Sequence, residues 1–130
     1  MLLVFFLLFG IFITLIFFNK PLAKFTRAKE DYTPSPAASL LFAYPLLVKA
    51  DGSAKSTINI FIRSEKGIPV KDQKLLITST IGTFDKSEAT TDEQGKATVA
   101  LSSSVPGVAS IEVLMNDTEK LTQKLSVKFE

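Results

Sequence analysis

The chain contains no cysteine, no histidine and no tryptophan. Without cysteine, neither a disulfide framework nor a thiolate metal site can form, so the folded part must be held together by its hydrophobic core. Without histidine, the commonest general base and the commonest metal ligand are both missing. The run Ser102-Ser103-Ser104 has no basic side chain arranged to activate a hydroxyl. We therefore expect no enzymatic activity, no metal site and no cofactor.

The chain also lacks an excess of either charge. Its 15 lysine and arginine residues are interspersed with 13 acidic residues, which gives a formal net charge of +2. A nucleic-acid-binding protein normally concentrates basic residues on one face or along one helix. The sequence therefore predicts no nucleic-acid partner.

The one long apolar run lies at the N-terminus, from Leu2 to Phe18, and is interrupted only by Gly10 and Thr14. As a helix it would rise about 25 Å, slightly less than the roughly 30 Å hydrocarbon core of a bilayer. The run predicts a short transmembrane helix or signal anchor over residues 1–19, with the lipid bilayer as a partner. The residues expected to face lipid are Leu2, Phe6, Phe9, Phe12, Leu15 and Phe18.

A cleaved signal peptide is the alternative interpretation of this run. Signal peptides start with basic residues and end at a small-residue cleavage site. Here no basic residue precedes the run, and Asn19-Lys20-Pro21 follows it. An uncleaved single-pass anchor is therefore favoured. Because the basic residues come after the helix, the positive-inside rule taken alone predicts that the rest of the chain is cytoplasmic.

Residues 20–38 are predicted to be a tether. The first part is charged, and Thr33-Pro34-Ser35-Pro36 then prevents a helix, because each proline lacks an N–H donor and forces its predecessor into extended geometry. Such a segment acts as a semi-rigid spacer.

From residue 39 to residue 130 the chain consists of short apolar-polar alternations separated by turn residues. Ile58, Ile60 and Ile62 alternate with Thr57, Asn59, Phe61 and Arg63, and Asp92 and Gly95 form a turn before the next alternating run. Residues 39–44 and 46–48 are predicted to form one edge strand interrupted at Pro45. This pattern predicts an all-β fold, an immunoglobulin-like β-sandwich of about seven strands.

Five aspartates occupy turns of this region, and they could be calcium ligands or turn formers. Each of them lies alone in its own turn, so turn formation is the favoured role. The five are Asp51, Asp72, Asp85, Asp92 and Asp117.

Seven segments of the β-region carry a resemblance to a known family. They are Ala50-Asp51-Gly52, Thr57-Ile58-Asn59-Ile60, Gly67-Ile68-Pro69-Val70, Ile81-Gly82-Thr83-Phe84, the run from Thr91 to Val99, the run from Pro106 to Ile111, and Val127-Lys128-Phe129. In this order and spacing, residues 39–130 resemble the bacterial Ig-like domain, group 1, that is repeated in intimin and invasin adhesins. Two features depart from the family pattern: Glu65 stands where the family has Asp, and there is one copy instead of a tandem array.

The resemblance implies an Ig-like sandwich located outside the cytoplasm, opposite to the location that the charge pattern favours. It implies a non-enzymatic cell-envelope protein that mediates adhesion or protein contact, or that acts as a spacer. A protein partner is therefore expected, and strand parity places Phe61, Leu76 and Leu114 at the surface as a contact patch. A pilin-like filament subunit, with the N-terminal helix in a fibre core, is the alternative function.

Overall fold

The computed structural model describes residues 1–18 and 32–130, and the chain divides into two compact units, residues 1–30 and 31–130. In the described part of the first unit, residues 1–18, the chain forms helix α1 at Leu2–Phe18, as the sequence predicted. Its side chains from residue 2 to residue 16 are exposed, and they are apolar on every side. The sequence also predicted a transmembrane span over residues 1–19. Of the helices in residues 1–18 and 32–130, none is both long enough and apolar enough to cross a membrane.

The second unit is a β-sandwich. Its strands are β1 (Leu40–Tyr44), β2 (Leu47–Val48), β3 (Lys55–Phe61), β4 (Lys74–Ser79), β5 (Thr83–Phe84), β6 (Glu88–Thr90), β7 (Lys96–Ser102), β8 (Gly107–Met115), β9 (Glu119–Lys120) and β10 (Leu125–Phe129). A four-stranded sheet has the order β1-β3-β7-β5, and a six-stranded sheet has the order β2-β10-β8-β4-β6, with β9 beside β8. The predicted all-β sandwich is confirmed. The count exceeds seven because several pieces contain only two or three residues.

The core lies between the two sheets and follows from the period-two alternation of the strands. In β3 the side chains of Ser56, Ile58 and Ile60 are fully buried, whereas the intervening positions face outward. The same alternation in β7 and β8 supplies most of the remaining core. Burying each large aliphatic side chain stabilises the fold by about 1.5–3 kcal/mol, so this inner layer accounts for the sandwich without disulfides.

The prediction of one strand running through Pro45 was wrong. β1 pairs antiparallel with β3 in the four-stranded sheet, whereas β2 pairs parallel with β10 in the six-stranded sheet. The Tyr44–Pro45 peptide bond between the two strands is cis. Because Pro45 has no N–H to donate, it ends the first ladder, and the chain passes to the other sheet at this point.

Of the predicted tether, residues 20–38, residues 20–31 lie outside the described residues and residues 32–38 are described. In the part that is described, Pro36, Ala37 and Ala38 form a turn. The N–H of Ser35 donates a hydrogen bond of 2.8 Å to the carbonyl of Arg63, and the Ser39 hydroxyl donates one of 2.7 Å to the carbonyl of Ser35. Both serines are buried. The chain just before β1 is therefore attached to the sandwich.

Candidate contact surface

The predicted contact residues Phe61, Leu76 and Leu114 lie on two different sheets. Leu76 on β4 and Leu114 on β8 are direct cross-strand neighbours on the outer face of the six-stranded sheet, and both are half-buried. Phe61 lies on β3, at an outward position of the four-stranded sheet, and is also half-buried. The structure therefore brings Leu76 and Leu114 together and separates Phe61 from them.

Phe61 instead belongs to an apolar surface that sequence reasoning missed. The edge strand β1 directs Leu40, Phe42 and Tyr44 outward, with exposed fractions of 39%, 52% and 80%. Together with Phe61 these residues form what we call the aromatic strip. Three exposed large apolar side chains on one strand are unusual, because scattered single ones are the norm on protein surfaces.

Two rings of the strip, those of Phe42 and Phe61, pack against each other. Leu40 is the cross-strand partner of Phe61, and Phe42 is the partner of Asn59. The rings of Phe42 and Phe61 meet edge to face, with centroids 5.9 Å apart and an interplanar angle of 72°. This geometry is favourable for aromatic pairs and holds both rings in place. The strip is therefore an ordered surface that needs little reorganisation to bind a partner.

A polar row borders the strip on the inner strands of the same sheet. The Thr98 hydroxyl lies 3.0 Å from the side-chain oxygen of Asn59, to which it donates a hydrogen bond. Thr57 lies opposite Tyr44 and is exposed. Apolar side chains next to such hydrogen-bonding groups form the usual pattern of an interface centre and its rim.

The free edge of β1 is covered at Leu41, its second residue, by a side chain. The Leu41 N–H donates a hydrogen bond of 2.9 Å to Gln123 Oε1, and Gln123 Nε2 donates one of 2.9 Å to the Leu41 carbonyl. The carboxamide thus makes the two hydrogen bonds that a neighbouring strand would make. Covering an edge in this way hinders pairing with another chain, so the strip is the accessible feature of β1.

Cations surround the strip. On the outward positions of β3 and just beyond it lie Lys55 and Arg63, and on β7 lies Lys96, whose Nζ is 5.8 Å from the centroid of the Phe61 ring. The Arg63 guanidinium donates a hydrogen bond of 3.0 Å to the Gly67 carbonyl. The strands β1, β3 and β7 contain no acidic residue.

Asp85 follows β5 at the far edge of the same sheet, so β3 and β7 lie between it and β1 in the strand order. Its Oδ1 accepts hydrogen bonds of 2.9 Å from the N–H groups of Ala100 and Lys86. The hydrogen bond from Ala100 is the largest cause that lowers the pKa of Asp85 below 3.8, and the charges of Lys86 and Lys55 act in the same direction. The carboxylate of Asp85 is therefore ionised, and its hydrogen bond with Ala100 links the end of β5 to β7.

The predicted turn-forming role of the aspartates is visible at two further positions. Asp51 Oδ1 accepts hydrogen bonds from the N–H groups of Ala54 and Ser53, which lower the pKa of Asp51 below 3.8. Asp92 Oδ1 accepts hydrogen bonds from the N–H groups of Gln94 and Lys96. These carboxylates stabilise local turns.

Among residues 1–18 and 32–130, no three acidic side chains are grouped so that they could hold a metal ion. In the serine run, the Ser103 hydroxyl accepts a hydrogen bond from the Val105 N–H and donates one to the Val105 carbonyl, which closes a local turn. The aromatic strip is thus the surface that offers recognition.

Comparison with known proteins places this architecture in a family. The family model of the bacterial Ig-like domain (group 1) matches residues 40–129. An intimin of Citrobacter freundii is 32% identical over 115 residues, which cover 88% of this chain and 11% of that intimin. The chain therefore spans only a small part of the curated relative that it matches.

Two solved structures extend the comparison. The Yersinia pseudotuberculosis adhesin InvE is 28% identical, with a TM-score of 0.66, and the match covers 74% of this chain and 27% of InvE. A C-terminal fragment of intimin, solved in complex with the intimin-binding domain of the translocated intimin receptor, has a TM-score of 0.62 over 75% of this chain and 33% of that chain. At 23% identity this second match supports the fold alone. The sandwich and the family match together show that the chain belongs to the bacterial Ig-like domain family, group 1, the intimin and invasin type.

Proposed function

We propose that this chain is a non-enzymatic cell-envelope protein whose Ig-like domain lies outside the cytoplasm and contacts another protein through the aromatic strip. The observation that carries the proposal is the exposure of Leu40, Phe42 and Tyr44 on one ordered edge strand. Aromatic side chains are enriched at the centres of protein interfaces, where they contribute most of the binding energy.

Family membership supports the same role. Its relatives include an intimin and the adhesin InvE, and an intimin fragment binds the translocated intimin receptor. For this chain, a protein partner is part of the proposal. Leu76 and Leu114 on the six-stranded sheet form a second, smaller candidate contact.

The proposed role of α1 is attachment to a lipid bilayer. The observation in favour is that its exposed side chains are apolar on every side, so no face suits water. Helices of this composition are stable in lipid or against copies of themselves. A filament in which copies of α1 pack together, as in pilin-like proteins, is the second candidate function, and the same observation favours it.

Photocrosslinking in cells tests the protein contact. The full chain is expressed with p-benzoylphenylalanine in place of Phe42, of Leu114 or of Lys66, the last being an exposed turn residue that serves as the control. Irradiation is expected to give a discrete protein adduct from position 42 and none from position 66. An adduct from position 114 supports the smaller contact. Equal labelling at positions 42 and 66, or none at either, contradicts the proposed function.

A further inference from the structure

We propose that the partner of the aromatic strip presents apolar side chains flanked by carboxylates. This inference rests on the proposed function and adds the chemistry of the partner to it. It is derived from the distribution of charge on the outer face of the four-stranded sheet.

The cations of this face lie at both ends of the strip. Tyr44 lies opposite Thr57 on β3. Lys55 precedes Thr57 by two residues on the same face of β3, so it lies beyond the Tyr44 end of the strip. Leu40 is opposite Phe61, which is itself opposite Lys96, so Lys96 lies at the other end. Arg63, two residues after Phe61, extends that end. The strip is therefore an apolar centre with positive charge at two ends, and the surface of the partner has to complement this pattern.

Among the described residues, these cations form no ion pair with a carboxylate, although Asp92 and Glu93 precede Lys96 in the chain and Glu65 follows Arg63. The salt bridges among the described residues join Lys120 to Glu112 at 3.0 Å and Lys128 to Glu130 at 3.6 Å. Neither pair includes a cation of the strip, and β1, β3 and β7 contain no acidic residue. Asp85 keeps its negative charge and lowers the positive potential near Lys55, but it lies beyond β7 at the far edge of the sheet from the strip.

The opposite face serves as an internal comparison. The outward positions of the six-stranded sheet carry Lys74, Glu88, Glu112 and Lys128, so both signs of charge alternate there. On the face with the exposed aromatic rings, the outward strand positions at the ends of the strip carry Lys55 and Lys96, and the carboxylate of Asp85 lies at the far edge of the sheet. Complementary charge accelerates association and rejects wrong partners, so an acidic rim on the partner is what this face selects.

The same observations disfavour two other occupants. A second copy placed with its strip on this one would bring cations against cations, which costs free energy. A lipid surface would suit side chains that project from a loop tip, whereas the Phe42 and Phe61 rings are packed together on a sheet face. A protein surface with apolar and acidic residues matches both the apolar strip and the cations at its two ends.

Charge reversal in the crosslinking experiment tests the inference. In the full chain with p-benzoylphenylalanine at position 42, the double variant Lys55→Glu/Lys96→Glu is compared with Lys74→Glu/Lys128→Glu, which changes two exposed lysines on the outer face of the six-stranded sheet. We expect the adduct to decrease at least about tenfold in the first variant and less than about twofold in the second. Lys55→Arg/Lys96→Arg is expected to restore the yield. Equal urea midpoints for the variants exclude unfolding as the cause.

The possible outcomes separate the two proposals. A protein adduct from position 42 that is unchanged by Lys55→Glu/Lys96→Glu overturns the acidic partner and leaves the proposed function standing. An adduct with the mass of a lipid, or of a second copy of this chain, overturns the acidic protein partner as well. The absence of any adduct from position 42 in the otherwise unaltered chain overturns both proposals.

Discussion

Gly95 is the residue on which the hairpin before β7 depends. Its φ is +70°, and a Cβ placed on it would lie 2.5 Å from the Ile62 carbonyl oxygen and 2.9 Å from the Val70 nitrogen. Both atoms belong to the backbone, and the Ile62 N–H donates a hydrogen bond of 2.7 Å to the Gly95 carbonyl. The turn is therefore packed directly against the segment that follows β3, and neither neighbour can move aside cheaply.

We expect Gly95→Ala to destabilise the domain by about 3 kcal/mol or more, because it adds a backbone clash to the strain of a positive φ. Gly67→Ala is the matched control. Gly67 has a φ of +79° and open space where its Cβ would lie, so only the strain of about 1 kcal/mol remains. Urea unfolding of the two variants measures the difference. Equal losses of stability would mean that the close approach at Gly95 has no energetic weight.

We expect the stability of Asp85→Asn to depend less on pH than the stability of the original chain. The pKa of Asp85 is below 3.8 in the folded state, so its contribution to stability is fully present above the ordinary value and is lost as the pH falls through the folded pKa. The variant should therefore be less stable than the original chain at pH 6, and the difference should shrink below pH 3.8. Urea midpoints across this range measure it. A difference that stays constant with pH would contradict the assignment.

Some of these residue-level features were predictable from the sequence. The turn at Asp92 and Gly95 can be predicted because the aspartate side chain and the positive φ of glycine form it without distant contacts. The outward parity of Phe61, Leu76 and Leu114 is readable because isoleucine, leucine or valine occupies the alternate positions of their strands. That Phe61 joins Phe42 and not the two leucines depends on which strands share a sheet, and single-strand periodicity carries no such information.

Among the strands, β1 is the one whose inner and outer faces were hardest to predict from the sequence. Leu40, Leu41, Phe42 and Ala43 are all apolar, so the usual alternation that separates an inner from an outer face is absent. Leu41 is buried, whereas Leu40 and Phe42 are exposed, because one side of the edge strand has no covering layer. The aromatic strip could not be recognised without the sheet order.

We expect Gln123→Ala to release the edge of β1. The variant loses both hydrogen bonds to Leu41 and should cost about 1–2 kcal/mol of stability, while the Leu41 amide should exchange with solvent markedly faster. Urea unfolding and amide hydrogen exchange measure the two effects.

Gln94→Ala is the control for this substitution, because Gln94 lies exposed in the hairpin turn and its side chain makes no hydrogen bond among the described residues. It should leave both the midpoint and the Leu41 exchange rate unchanged. Unaltered protection of Leu41 in Gln123→Ala would contradict the assignment of Gln123 to the edge.

At the scale of the whole molecule, the proposed lipid attachment of α1 predicts how the full chain fractionates. We expect the original chain to sediment with membranes and to resist alkaline extraction, and Phe9→Arg to be extracted, because an arginine near the centre of such a helix costs about 2.5–3.5 kcal/mol in lipid. Leu46→Arg, on the exposed surface of the domain, is the control and should behave like the original chain. Extraction of the original chain would contradict the attachment.

The central claim is that the Ig-like domain lies outside the cytoplasm with its aromatic strip covered by a partner. Because the chain has no cysteine, Tyr44→Cys and Thr78→Cys each introduce a single reactive thiol, the first in the strip and the second at an exposed position of the six-stranded sheet. The measurement is the labelling of both variants by a membrane-impermeant maleimide, in spheroplasts and after purification. We expect Thr78→Cys to react in both preparations, whereas Tyr44→Cys should react fully only when purified. Full reaction of Tyr44→Cys in spheroplasts would contradict the covered strip, and reaction of neither variant before lysis would contradict the location outside the cytoplasm.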